Sequence, residues 1–324
     1  MGGQGMLKYI IKRLLLFIPI LLGISFIVLI FIDITPGDPV QIIAGWDAKP
    51  EEIAKVAADL ALDRPLVVRY VEFVTKAVQG DLGVTFYTKR PVTPDIISRF
   101  PYTALLASMS VILSIVIGTP LGIYAATHQY SWKDNTAIFI TLILVSLPSF
   151  LVALILVRLI AVGLGWVAVS GILHWSSWIL PTFSIAMGYS ASIARQARSN
   201  MLQVIREDYI ITARAKGQSE RVITYRHALK NACIPLVMTI GSLFGMALGG
   251  SLVTEMIFSM PGLGQYMISA LTNRDYPAIQ GATLFLSIIF CTVMLLIDIA
   301  FAFIDPRIRS QYIKPKLRLK GDAG

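Results

Sequence analysis

Two cysteines and three histidines among 324 residues leave little material for metal or disulfide chemistry. Cys233 and Cys291 fall in long apolar runs, lack metal-like spacing, and read as small packing residues. His128, His174 and His227 are scattered and read as interfacial or loop residues. Charge is also scarce, at 15% of residues against about 25% in ordinary soluble domains. The spacings that carry common chemistry are missing. There is no Gly-x-x-x-x-Gly-Lys-[Ser/Thr] phosphate loop, no His-Glu-x-x-His and no Gly-x-Ser-x-Gly. The expectation is a chain that is not an enzyme and holds no metal or cofactor of its own.

What the chain has is apolar length. It is 56% hydrophobic with a mean hydropathy of +0.71, a composition of polytopic membrane proteins. Leu14–Ile32 is a charge-free run of 19 residues, roughly 29 Å as a helix, which matches a bilayer core. It exceeds a signal-peptide core and no small-x-small cleavage site follows it, so a retained helix is expected. Thr103–Thr127, Asn135–Val157, a run from about Trp178 or Pro181 to Arg195, Asn231–Thr254 and Tyr276–Ile297 complete six expected spans. The fold class is therefore all-α and polytopic, with six transmembrane helices.

The basic residues set the orientation. Eighteen lysines and arginines fall at the two ends and in the connections after the second and fourth spans. Residues 33–100, by contrast, hold eight basic and ten acidic residues. The positive-inside rule puts both termini and the 195–230 insert in the cytoplasm. Topology thus accounts for the net charge of +9, and no nucleic-acid partner is expected. The expected divisions are a cytoplasmic start (1–8), a first span (9–32), an extracytoplasmic cap (33–100), a main transmembrane domain (101–305) with coupling helices at 202–232, and a basic cytoplasmic tail (306–324). Within the cap, Thr35-Pro-Gly-Asp-Pro39 reads as a break, Pro50-Glu-Glu as a helix start, Arg64–Val78 as a second helix and Thr85–Pro94 as turns.

Charge near the membrane is confined to Asp298, Glu255 and Arg158. For Arg158 snorkelling is expected. For Glu255, near the outer end of the fifth span, gating or cavity lining stands beside a purely structural role. Such sparse charge argues against an ion-coupled carrier working alone. Gly241, Gly245 and Gly249 lie four apart on one helical face, which suits close backbone approach, either within the chain or at a pore or partner seam.

The stretch from Arg206 to Pro235 is polar and basic between two apolar runs, so it must lie in water or at the interface. Gly217 suits a left-handed helix end and Ser219 a following cap. Ala213 and Ala215 keep part of the first helix thin. Flanked by Tyr209, Arg214 and Lys216, that surface suits another protein's groove or, alternatively, an anionic lipid surface.

Tyr209-Ile-Ile-Thr-Ala-Arg-Ala-Lys-Gly217, followed by Tyr225-Arg-His-Ala-Leu-Lys-Asn-Ala232 and Pro235, resembles the EAA-like coupling loop of ABC importer permeases. The form is that of the dipeptide/oligopeptide/nickel branch. Tyr9-Ile-Ile-Lys-Arg-Leu14, Pro36-Gly-Asp-Pro39, Phe258-Ser-Met-Pro-Gly-Leu-Gly-Gln265, Asn273-Arg-Asp-Tyr-Pro277 and Asp305-Pro-Arg-Ile-Arg309 fit the same branch. Ile211 stands where many permeases carry glutamate, a departure usual in the peptide branch. Met294-Leu-Leu stands where the family often has asparagine.

The resemblance implies a type I importer fold in the cell membrane. It also implies coupling to an ATPase through Tyr209, Thr212, Ala213, Arg214, Ala215, Lys216 and Gly217, and an outer gate loop with Pro261, Gly262 and Gly264 near Glu255. The implied partners are a second homologous permease subunit, two cytoplasmic ATPase subunits that hold ATP and magnesium, an extracytoplasmic solute-binding protein and membrane lipid. The expected cargo is di- or oligopeptides, with nickel chelates, glutathione or oligosaccharides as alternatives.

Overall fold

The computed structural model describes residues 3–34, 39–45, 47–59 and 61–304. Among these residues there is no strand, only an isolated bridge between Val84 and Pro91. The core of the Pro36–Pro39 break and the 306–324 tail lie outside the described residues. In chain order the helices are α1 (Gly3–Ile34), α2 (Pro39–Ala44), α3 (Pro50–Asp59), α4 (Leu66–Val78), α5 (Val92–Thr127), α6 (Trp132–Ser146) and α7 (Ser149–Leu156). Then come α8 (Ile179–Val204), α9 (Asp208–Ala215), α10 (Glu220–Val222), α11 (Leu229–Gly250), α12 (Leu252–Ile257), α13 (Leu263–Thr272) and α14 (Tyr276–Ile304).

Helices occupy all six expected spans, in three different ways. Ile10–Ile34, Val92–Thr127, Glu220–Gly249 and Tyr276–Ala300 are each long and apolar enough to cross a membrane. The third span is not one rod. α6 and the helix from Ser149 to Val162 meet at 95°. The cause is local: proline at 148 disfavours the helical conformation of the residue before it, and Leu147 takes φ −84°, ψ 120°. Beyond α7 the helix widens into a π-turn at Val157–Val162, which contains Arg158.

The fourth span, α8, has 26 residues, about 39 Å, but is less apolar. It sits at the centre of the bundle, packed on α5, α6, α7 and α11, so small residues rather than greasy ones cover it. Gly118 and Gly122 of α5 let its backbone approach. A Cβ at Gly118 would lie 2.9 Å from that of Ile193, and one at Gly122 would lie 2.7 Å from that of Ala197. Ser184 and Ser190 are buried there and donate to the carbonyls three residues back, which removes the cost of unpaired hydroxyls.

Three boundaries differ from the sequence expectation, one of them the end of the fourth span, which runs past Arg195 to Val204. α5 begins at Val92, so the last residues assigned to the cap are a helical extension of the second span. The helix expected from Arg64 begins at Leu66, with Pro65 at its cap position. The cap helices lean on the bundle. Tyr70 of α4 donates to the Leu22 carbonyl at 2.7 Å, and Arg69 pairs with Asp33 at 2.9 Å. Asp275, between α13 and α14, accepts the Phe86 and Tyr87 N–H groups and so holds the 81–91 turns against the outer end of the bundle.

Candidate functional site

The polar insert between the fourth and fifth spans folds as a short bracket. α8 ends at Val204, a turn follows, and α9 begins at Asp208. Gly217 takes φ +77°, the left-handed conformation that glycine adopts without strain, and nothing lies within 4 Å of where a Cβ would stand. Ser219 holds the cap position of the next helix, but its side chain makes no capping bond. The second helix is not a separate piece. α10, a π-turn at Ile223–Ala228 and α11 form one continuous rod, so the far arm of the bracket is the first part of the fifth span.

α9 is fixed by its apolar side. Ile210 and Ala213 are buried together with Ile123 and Ala126 of α5, Met201 of α8, and Ile223, Ala228 and Ala232 of the fifth-span rod. Ala213 therefore faces the bundle and does not thin the outer surface, as the sequence reading had supposed; Ala215, Thr212 and Lys216 are exposed. The outward face carries bulk instead: Tyr209, Ile211, Val222 and Tyr225 are all exposed.

Two polar clamps tie the arms. Arg214 meets Glu220 with a two-pronged contact at 2.6 and 3.2 Å, and the Asn231 amide donates to the Tyr209 hydroxyl at 2.7 Å. Through its hydrogen bond, Arg214 holds the Glu220 carboxyl below its ordinary range, and Glu220 pushes the guanidinium up in return.

A deeper ion pair stands behind the bracket. Arg198 of α8 binds Asp134 of α6 through two contacts of 2.7 Å, with Asp134 fully buried. Asp134 also accepts from the Tyr130 N–H, and its own N–H donates to Ser131. Sequence reasoning counted Arg198 only as a topological charge and passed over Asp134. The Ser131-x-x-Asp134 spacing, a helix-start signature, was the available signal.

The opposite end of the bundle is organised around Glu255, which is fully buried. Its carboxylate accepts from the Ser251 hydroxyl at 2.9 Å and from the Gly264 and Gln265 N–H groups at 2.7 and 3.3 Å. The Thr103 hydroxyl on α5 also bonds it. That hydroxyl in turn accepts from the Leu263 N–H at 2.9 Å. The first three N–H groups of α13 would otherwise be orphans. Here they are taken up by two neighbouring helices.

Glycine is needed for this closeness. A Cβ on Gly262 would overlap the Glu255 carboxylate, and one on Gly264 would lie 2.6 Å from the Leu252 Cα. Pro261 sets the turn just before. Glu255 thus fastens the 261–264 loop to its neighbours.

The three spaced glycines divide. Gly241 faces Ile297 and Gly245 faces Phe290, both on α14, so these two serve packing within the chain. Gly249 has open space in front of it. At the inner end, Asp298 of α14 pairs with Arg13 of α1 at 2.9 Å. No group of three or more His, Cys, Asp or Glu side chains that could hold a metal occurs among the described residues.

Comparison with known proteins gives a consistent set of likenesses. Residues 118–310 match the family described as binding-protein-dependent transport system inner membrane component, and residues 6–107 match its N-terminal companion. The glutathione transport system permease protein GsiC of Salmonella choleraesuis is 39% identical over 304 residues, which is 94% of this chain and 99% of that protein. The protein of the same name from Escherichia coli K12 is also 39% identical over the same shares. Among solved structures, an inward-facing form of the MetNI methionine ABC transporter aligns with a TM-score of 0.58 at 18% identity, covering 65% of this chain and 96% of that one. A second crystal form aligns at 0.52 with 20% identity, covering 68% and 96%. At such identities the structural likeness speaks for the fold alone.

Proposed function

We propose a working arrangement from one premise: this chain belongs to the binding-protein-dependent transport system inner membrane component family, and it is a permease subunit of an ABC importer with the type I fold. In the proposed arrangement it forms half of a translocation pathway with a second, homologous permease. Two cytoplasmic ATPase subunits, carrying ATP and magnesium, grip the bracket at 208–231. An extracytoplasmic solute-binding protein delivers the cargo. Both termini lie in the cytoplasm, as the basic residues favour.

One observation carries the coupling role. The exposed strip of Tyr209, Ile211, Val222 and Tyr225 stands on a base wedged by Ile210 and Ala213 against three spans at once. A push on that strip is delivered to α5, α8 and the fifth-span rod together. Thr212, Arg214 and Lys216, with the small Ala215 among them, border the contact, and Gly217 forms the turn between its arms. The driving force is the difference in nucleotide affinity between two states of the motors, passed on as a tilt of the bundle.

The cargo we propose is a short peptide, with glutathione, itself a tripeptide, the first to try. The support is the 39% identity to permeases named for glutathione transport. The test is uptake into membrane vesicles that hold the whole transporter. Labelled glutathione or dipeptide should accumulate only with ATP inside. Accumulation that persists without the ATPase subunits and collapses with an ion gradient would overturn the reading in favour of an ion-coupled carrier.

A further inference from the structure

α4 is inside out for a helix in water. Val67, Val71 and Val78 recur at spacings of four and seven, which places them on one face, and they are 63%, 54% and 84% exposed. The opposite face carries Arg69, Glu72 and Lys76. Those three line a cavity of about 160 Å³ between α4, α1 and α14, together with Asp81 and Gln280. The charged face thus borders a chamber that apolar residues, Leu29 and Phe73 among them, also line, while valine points away from the protein. A soluble cap would reverse this, because apolar surface left in water forgoes the transfer energy that burial gains.

The depth of α4 explains the inversion. On α1, Arg13 and Asp33 are twenty residues apart, roughly 30 Å, the thickness of a hydrocarbon core. Leu22 lies near the middle of that interval. From adjacent positions of α4, Tyr70 reaches down to the Leu22 carbonyl and Ser25, while Arg69 reaches up to Asp33. Phe26 meets the Tyr70 ring edge-on at 5.0 Å. That turn of α4 therefore crosses α1 between the two levels, within the outer half of the bilayer. The adjoining lipid-side residues of α1 are apolar and exposed too, Ile27 and Phe31 among them.

We propose that α4 is immersed in the outer lipid leaflet, its valine face against acyl chains and its charged face walling a water-filled chamber beside the first and last spans. The partner of the valine face is lipid. The inference needs only the membrane placement of the chain, so it stands apart from the cargo and coupling readings.

The test uses the full chain, in its importer, in phospholipid vesicles. Cys233 and Cys291 are replaced by alanine, and single nitroxide labels are placed at Val67, Val71, Val78, Glu72 and Lys76, with Tyr87 as a water-exposed reference. Relaxation by molecular oxygen reports lipid and relaxation by a soluble nickel chelate reports water. Expected is oxygen access several-fold above nickel access at Val67 and Val71, with the order reversed at Glu72 and Lys76. Nickel access at Val71 equal to that at Tyr87 would overturn the proposal by placing α4 in water. Protection of Val71 from both reagents would overturn it by placing a protein there. Val67, Val71, Lys76, Val78 and Tyr87 are exposed and Glu72 is half-buried, and ATPase activity of the labelled importer checks that each variant is folded.

Discussion

The outer loop and the inner bracket are both short turns between helices, and they are held in opposite ways. At the outer end the N–H groups that open α13 all have buried partners. One carboxylate, one threonine hydroxyl and two glycines leave the 261–264 loop a single conformation. At the inner end the contacts that join the two arms are exposed: Arg214 with Glu220, Tyr209 with Asn231, and a glycine with empty space around it. Only the underside, through Ile210 and Ala213, is buried. Burial makes polar contacts strong and costly to break, whereas solvent screens exposed ones. The outer loop is thus built to keep its shape unaided. The bracket is built to be completed by something that covers it.

The comparison breaks most visibly if the outer loop tolerates change. Glu255→Ala would orphan the Gly264 and Gln265 N–H groups and the Ser251 hydroxyl, and we expect a loss of about 3 kcal/mol. Gly264→Ala should cost as much, because its Cβ would meet backbone that cannot swing aside. Thermal unfolding of the purified chain in detergent measures both. A melting temperature within a degree of the parent for either variant would mean that the fastener holds nothing.

Next comes Asp134→Ala, which strands a half-buried guanidinium between α6 and α8. A pair at the edge of the bundle is partly screened, so we expect about 2 kcal/mol rather than the larger cost of a fully buried pair. Arg198→Lys should fall between, since an ammonium cannot make the two-pronged contact. Equal melting curves for Arg198→Lys and the parent would reduce the pair to simple charge neutralisation.

Gly217→Val comes third in stability and is the more telling in function. The left-handed conformation costs a β-branched residue about 1–2 kcal/mol, with no clash to add. The turn should open locally while the bundle melts almost as before. Transport per ATP hydrolysed should therefore fall further than the melting temperature suggests. An unchanged ratio would separate the left-handed turn from coupling.

How much of this was legible in sequence depended on whether the signal was local. The left-handed position of Gly217 and the helix start at Pro50 are written in single residues and their neighbours. The third span reads in sequence as one run, Asn135–Val157, and its 95° bend was not legible, because a proline at 148 sets the backbone of Leu147 without saying what α7 will pack on. The fourth span reads as ending at Arg195, because a charge closes the apolar run, whereas α8 continues to Val204. Hydropathy alone cannot separate a helix end from a helix that carries its charges among packed neighbours. Ala213 was misassigned for a related reason: a small side chain marks close approach but not by which partner. Glu255 could be placed at a span end, yet its partners Thr103 and Gly264 come from distant or turn-bound positions that no periodicity connects.

The smallest stability effect belongs to Arg214, and it sharpens the comparison most. Its bond with Glu220 is exposed, so Arg214→Ala should leave the melting curve almost unmoved. Glu220 is held below its ordinary range in the folded bracket, so the clamp contributes above the unfolded carboxylate range and fades as pH falls through the folded value. Acidification should therefore loosen the bracket while the outer end is intact, with hydrogen exchange rising first in 214–220. Charge reversal then separates two roles. Arg214→Glu repels Glu220 and opens the clamp, whereas Lys216→Glu changes only an exposed charge beside the turn. If an ATPase subunit covers the bracket, both reversals should lower its co-purification with the membrane chain. Loss with Arg214→Glu alone would assign the effect to the shape of the bracket, and full retention with both would move the basic surface to the lipid headgroups.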